Sequence, residues 1–133
     1  MPNQAPSQLF IFSDKIDADY IFSMYEDDYP YIETMFKTVL DHFEDDRNTI
    51  VVHYKEGQPE ALRKSIHKIK PAFGFVGMPA VLELCKNFEN KCYLVQSTDE
   101  LEREYKELLA VLEDAYQVIA NEHQKLVSYN RAA

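Results

Sequence analysis

Apolar residues recur at steps of three and four along most of the chain, which is the spacing of one face of an α-helix. No segment shows the sustained alternation of a β-strand. Four such stripes stand out, and their members are Ile32, Phe36, Val39, Phe43, Ile50 and Tyr54; Leu62, Ile66, Ile69, Phe73 and Val76; Val81, Leu84, Cys85 and Phe88; and Leu101, Tyr105, Leu108, Leu112, Tyr116, Ile119 and Leu126.

Glycine and proline separate the stripes. Glycine suits the residue after a helix end, and proline suits the first turn of a helix. The separators are residues 28–30 (an N-cap acid and Pro30), residues 57–59 (GQP), residues 77–79 (GMP) and Ser97–Glu100, a possible capping box. The polar run Glu44–Asn48 leaves the continuity of the first long helix open.

These patterns predict an all-α fold, an antiparallel four-helix bundle with a short extra N-terminal helix at about Asp17–Tyr25. Short connections favour antiparallel neighbours. We expect residues 1–14 to be a loose lead-in with one apolar cluster, Leu9–Phe12, and residues 15–133 to form a single bundle domain. A length of 133 residues is ordinary for one domain.

Composition narrows the functional classes. With 46% hydrophobic residues the chain has material for a core, and its net charge of −9 disfavours nucleic-acid binding, which needs a basic surface. No apolar run is long enough to span a membrane, and the N-terminus lacks the pattern of a signal peptide. We therefore expect a cytoplasmic monomer with no nucleic-acid or membrane partner.

Two cysteines, Cys85 and Cys92, are predicted to lie on one helix. Seven residues of helix separate their Cα atoms by roughly 10 Å, beyond the roughly 7 Å limit of a disulfide. Both are best interpreted as small core or boundary residues in a reducing compartment.

His67 is the most informative residue. The stripe of residues 62–76 fixes the inward direction of its helix, and His67 points roughly 140° away from it, toward solvent. Arg63, Lys70 and Gly74 are predicted to share that outer face. Because glycine inside a helix costs about 1 kcal/mol, Gly74 suggests close approach of another protein's backbone, or else a frayed helix end.

The segment around His67 is also basic. Residues 61–70 include Arg63, Lys64, Lys68 and Lys70 and no acid. A surface of this charge favours an acidic partner, although a solvated helix face explains the same residues.

The stretch SIHKIKPAFGFVGMPAVLELCKNFE resembles the signature of the histidine phosphotransfer (HPt) family, H-x-[L/I]-K-x6-G. His67, Ile69, Lys70 and Gly77 match the four fixed positions, and Gly74 falls where the family tends to keep a small residue. Leu84–Glu89 is similar to the family's following leucine-rich helix, which closes on an apolar–Glu pair. The resemblance covers about residues 28–125.

The resemblance implies a phosphorelay carrier with His67 as phosphoacceptor. It is expected to accept a phosphoryl group from an aspartyl-phosphate receiver domain or hybrid sensor kinase and to pass it to another receiver aspartate. Lys70 would stabilise the phosphoryl charge, and the receiver would bring the divalent metal, so this chain needs no cofactor. No phosphate loop or kinase motif occurs, and we expect no kinase activity. The expected partner-binding residues are Arg63, Lys64, Lys68, Gly74 and Gly77.

One position departs from the family. Pro71 stands where glycine is frequent, and it cannot donate to the carbonyl of His67, so we expect a kink there. Because of Pro71, a regulator that binds receivers or kinases without phosphorylation remains an alternative function.

A bundle that holds a metal or ligand is a remoter alternative. His42, His53 and His123 lack the helical spacings of zinc or di-iron ligands, so we predict no metal site.

Overall fold

The computed structural model describes residues 9–132, and within them it contains α-helices and one short 3-10 turn but no strand. The helices are α1 (Ala18–Tyr25), α2 (Tyr29–Lys55), α3 (Pro59–Phe75), α4 (Pro79–Cys92) and α5 (Glu102–Ala132), and the 3-10 turn is Thr98–Leu101. Helices α2 to α5 form the bundle, with α2 packed against α3 and α5 and with α3 packed against α4. The predicted all-α class is confirmed. No helix in this part of the chain is long and apolar enough to cross a bilayer.

The helix ends lie where glycine, proline and capping residues predicted them. The Asp28 carboxylate accepts a hydrogen bond from the amide of Tyr31, which caps α2. The backbone amide of Ser97 donates to the carboxylate of Glu100 at 3.1 Å, which is the hydrogen bond that a capping-box glutamate makes. Helix α2 continues through the polar run at residues 44–48, because the buried stripe resumes in phase on its far side.

The stripes of the four long helices meet in one core. Its largest fully buried side chains include Phe36, Phe43, Phe73, Leu112 and Ile119. Each of these belongs to a stripe that helical spacing had placed inward.

Both cysteines lie on α4, buried and without a disulfide. Burial raises the pKa of the Cys85 thiol to about 12 and that of the Cys92 thiol to about 11. Both thiols are therefore protonated side chains of the core.

The predicted lead-in is not loose where the structure describes it, at residues 9–14. Phe10 and Phe12 are buried among the aromatic rings of α1, α2 and α5. The backbone amide of Ser13 donates to the buried carboxylate of Glu122 at 2.9 Å. Burial of two phenyl rings explains why this segment packs against the bundle. The first eight residues of the lead-in lie outside the described residues.

Helix α1 packs closely against the end of α3. The amide of Asp17 donates to the carbonyl of Gly77 at 2.8 Å. Gly77 has a φ of 72°, and a Cβ there would lie 2.8 Å from Cγ1 of Ile21. Its expected role in partner binding is thus wrong, because Gly77 is buried under α1 and meets this chain itself.

Gly77→Ala should destabilise the fold more than Gly57→Ala, a matched control. Gly57 has a similar φ of 75°, but a Cβ at Gly57 would lie 3.7 Å from its nearest neighbour, Oγ of Ser97. Left-handed backbone costs alanine about 1–2 kcal/mol at either site, and crowding of Ile21 adds about 1–3 kcal/mol at Gly77 alone. Urea unfolding of both variants measures the difference. Equal losses would show that α1 does not need the close approach.

Candidate functional site

His67 lies on the exposed side of α3, as its helical phase predicted. Its side chain is 66% exposed, and Nδ1 lies 2.8 Å from Oε1 of Glu89 on α4. The Glu89 side chain is only 9% exposed. The imidazole is therefore fixed on one edge by a buried carboxylate and open to solvent on the other.

Lys70 contacts the second oxygen of the same carboxylate. Its Nζ lies 2.6 Å from Oε2 of Glu89, and its side chain is 21% exposed. Lys70 is thus half-buried in an ion pair and is not one of the most exposed residues of α3. One carboxylate joins the imidazole and the ammonium group, and this cluster (His67, Lys70 and Glu89) is called the triad below.

The charge state of Glu89 decides the tautomer of His67. Burial alone would raise the pKa of Glu89, but hydrogen bonding and positive charge from Lys70, and then from His67, outweigh it and hold that pKa below its ordinary value. An ionised carboxylate only accepts hydrogen bonds. Nδ1 of His67 must therefore carry a proton, which leaves Nε2 with the free lone pair when the ring is neutral.

Glu89 was not predicted from the sequence to act at the site. It lies beside Phe88 and one turn after Cys85, both buried on the inward face of α4, so α4 turns it toward α3. Glu89 could have been identified from the sequence as a glutamate in helical phase with the buried stripe of α4. A carboxylate buried in this way requires charged or hydrogen-bonding partners.

The other predicted basic residues pair within this chain. The guanidinium of Arg63 lies 4.9 Å from the ring centre of Tyr93. Lys64 Nζ lies 3.5 Å from Glu60, and Lys68 Nζ lies 3.4 Å from Asp46. Both lysines remain exposed, and pairs of this kind contribute little to stability, so their side chains stay available to a partner.

The expectation that Gly74 lies open on the outer face is wrong. Gly74 is buried, and a Cβ there would lie 3.3 Å from Cδ1 of Leu82 and 3.9 Å from the hydroxyl of Tyr20. The prediction from helical phase treats α3 as an isolated helix. In the structure, α1 and α4 cover the C-terminal end of α3, where Gly74 lies. The small size of Gly74 serves packing within the chain.

Pro71 lies inside α3, which continues to Phe75 without a break. The residue is exposed and follows His67 by one turn. Its ring nitrogen has no proton, so the carbonyl of His67 lacks its usual helical donor.

The remaining histidines lie on α2 and α5, whereas the triad lies on α3 and α4. His42 is exposed on α2, and His53 and His123 are half-buried on α2 and α5. Across residues 9–132, no group of three or more His, Cys, Asp or Glu side chains is arranged to hold a metal ion.

Comparison with known proteins identifies the family of this chain. The family model of the Hpt domain matches residues 34–122, a span that contains all three triad residues. The chain belongs to the Hpt domain family. Hpt domains are phosphotransfer carriers of two-component signalling and are not kinases.

A solved structure gives the same fold. The crystal structure of the HPT domain from the Hpt sensor hybrid histidine kinase of Shewanella has a TM-score of 0.72 and 20% sequence identity, over 84% of this chain and 95% of that one. At this identity the likeness shows the fold alone. No curated protein matches the sequence significantly. Helix α1 precedes the region that the Hpt family model matches.

The ion pairs of Glu89 should make stability depend on pH. Because the folded-state pKa of Glu89 is lowered, its contribution is fully present above the ordinary glutamate pKa and is lost as pH falls through the lower folded value. Urea unfolding of the wild type and Glu89→Gln, from about pH 6 to about pH 3, should show a stability difference that shrinks in acid. A difference independent of pH would show that the negative charge of Glu89 does not stabilise the Hpt domain.

Proposed function

We propose that His67 accepts a phosphoryl group on Nε2 from the aspartyl phosphate of a receiver domain and passes it to the aspartate of another receiver. The observation that supports this most is the hydrogen bond between Nδ1 and Glu89, since it leaves the exposed Nε2 as the nucleophile. Membership of the Hpt family supports the carrier role.

Phosphoryl transfer from the aspartyl phosphate to His67 needs no third reactant. The Nε2 lone pair attacks phosphorus, a nitrogen–phosphorus bond forms, and the bond from phosphorus to the aspartyl oxygen breaks. The aspartate leaves as a carboxylate with the electron pair, and the ring becomes positively charged. Its Nδ1 proton stays in place on the hydrogen bond to Glu89, whose negative charge stabilises the ring. The reverse steps return the group to an aspartate.

Lys70 supplies positive charge beside the transferred group. Phosphoryl transfer depends mainly on positioning and on stabilisation of charge over the equatorial oxygens. Lys70 and His67 contact the same carboxylate, so the ammonium group lies on the same side of α3 as the reacting ring. The receiver is expected to bring the divalent metal and the acidic centre, which the basic residues Arg63, Lys64 and Lys68 would face.

His67→Gln should abolish phosphoryl acceptance and retain the fold, because the side chain is exposed and a glutamine amide can still donate a hydrogen bond to Glu89. The assay is acid-labile, base-stable label transferred from a phosphorylated receiver. His42→Gln is the matched control and should label normally. If His67→Gln is still labelled, another histidine is the phosphoacceptor. If the wild type binds the receiver but is not labelled, the protein is a phosphorylation-independent regulator.

Lys70→Ala should slow labelling of His67 by the small donor phosphoramidate, whereas Lys68→Ala should not. Loss of one electrostatic contact costs on the order of 10- to 1000-fold in rate, nearer the lower figure at a partly exposed site. Lys68 is the control because its side chain is 74% exposed and paired with Asp46 on α2. Equal rates for both variants would show that the Lys70 charge does not assist transfer.

A further inference from the structure

Exposed apolar side chains gather where α1 meets the end of α3. Tyr20 and Met24, one turn apart on α1, are 39% and 38% exposed, and Phe75 of α3 is 44% exposed. The hydroxyl of Tyr25 donates to the carbonyl of Phe75 at 2.9 Å, which ties the two helices together here. Tyr20, Met24 and Phe75 are called the apolar shelf below.

The shelf lies within reach of any protein that reacts with His67. Pro71 and Phe75 follow His67 at four and eight residues along α3, so Phe75 is about 12 Å away along the helix axis. A stable interface covers about 800 Å² on each partner, a disc of about 16 Å radius. An interface of this radius centred on Nε2 of His67 therefore reaches Phe75, and the hydroxyl of Tyr20 lies beside Gly74, the residue before Phe75.

The surroundings of the shelf and of His67 carry opposite charge. Residues 16–36 contain six acids and no lysine, arginine or histidine, whereas residues 61–70 contain three lysines, one arginine, one histidine and no acid. A matching receiver has an acidic centre that faces α3 and an apolar side with a basic margin that faces α1. A second copy of this chain fits less well, because each carries a net charge of −9.

We infer that the apolar shelf and its acidic margin form the receiver-docking surface of this Hpt domain and that α1 selects the receiver. This inference rests on the proposed function. Helix α1 lies before residues 34–122, the span that the Hpt family model matches. Gly74 and Gly77 serve the surface indirectly, since their missing side chains let α1 lie close to α3.

The test uses the full chain and the receiver domains of the same organism, each phosphorylated with acetyl phosphate. Tyr20→Ala/Met24→Ala should lower kcat/KM for transfer from the best receiver at least about tenfold, mainly through KM, as truncation of interface anchors does. Val52→Ala/Leu94→Ala is the matched control, because both side chains are exposed and apolar but lie toward the other end of α3. It should transfer at the wild-type rate.

A second variant changes charge instead of packing, so it tests the inference even if Tyr20→Ala/Met24→Ala does not fold. Asp19→Lys/Asp27→Lys changes two exposed acids that cap no helix, so the fold should be retained. It should raise KM for the same receiver, most of all at low ionic strength, where repulsion of a basic margin is greatest. Wild-type KM in both the shelf and the charge variants would overturn the inference, as would an equal loss in the control.

Labelling of His67 by phosphoramidate separates this inference from the proposed function. The shelf variant, the charge variant and the Val52→Ala/Leu94→Ala control should all label at the wild-type rate, since a small donor needs no docking surface. A wild type that phosphoramidate never labels contradicts the proposed function itself. If phosphoramidate labels the wild type but none of the phosphorylated receivers does, the docking inference is overturned. It is also overturned if sedimentation shows a dimer of the wild type that Tyr20→Ala/Met24→Ala dissociates, because a second copy then covers the shelf.

Discussion

The geometry of the triad depends on one buried carboxylate. Glu89 is almost fully removed from solvent, and such a charge is stable only with hydrogen bonds and opposite charge around it. His67 and Lys70 provide both. The need to satisfy Glu89 thereby fixes the orientation of the imidazole, its tautomer and the position of the nearest ammonium group, although two of the three residues are at or near the surface.

The sequence predicted those features that depend on a single helix. The phase of the stripe from Leu62 to Val76 placed His67 outward, and proline and glycine located the helix ends. Glu89 could not be assigned in this way, because its role requires α3 and α4 to be in register across 22 residues of sequence. That register is set by packing of both helices and not by the pattern of either.

The same limit explains the errors at Gly74 and Gly77. Both were interpreted on a solitary α3, where a missing side chain on the outer face suggests an approaching partner. The approaching element is instead α1 of the same chain, which lies against Gly77 and brings Tyr20 near Gly74. Helical phase identifies what a helix leaves uncovered, but another segment of the chain decides what covers it.

The docked segment before α1 has a practical consequence for work on isolated Hpt domains. Phe10 and Phe12 fill space between α1, α2 and α5, and Lys125 donates to the carbonyl of Ile11 while it neutralises Glu122. A fragment trimmed to the boundaries of the family match would discard these residues together with α1. It would uncover aromatic surface and leave Glu122 with fewer partners, so such a fragment is a poor substitute for the whole chain in structural or signalling studies.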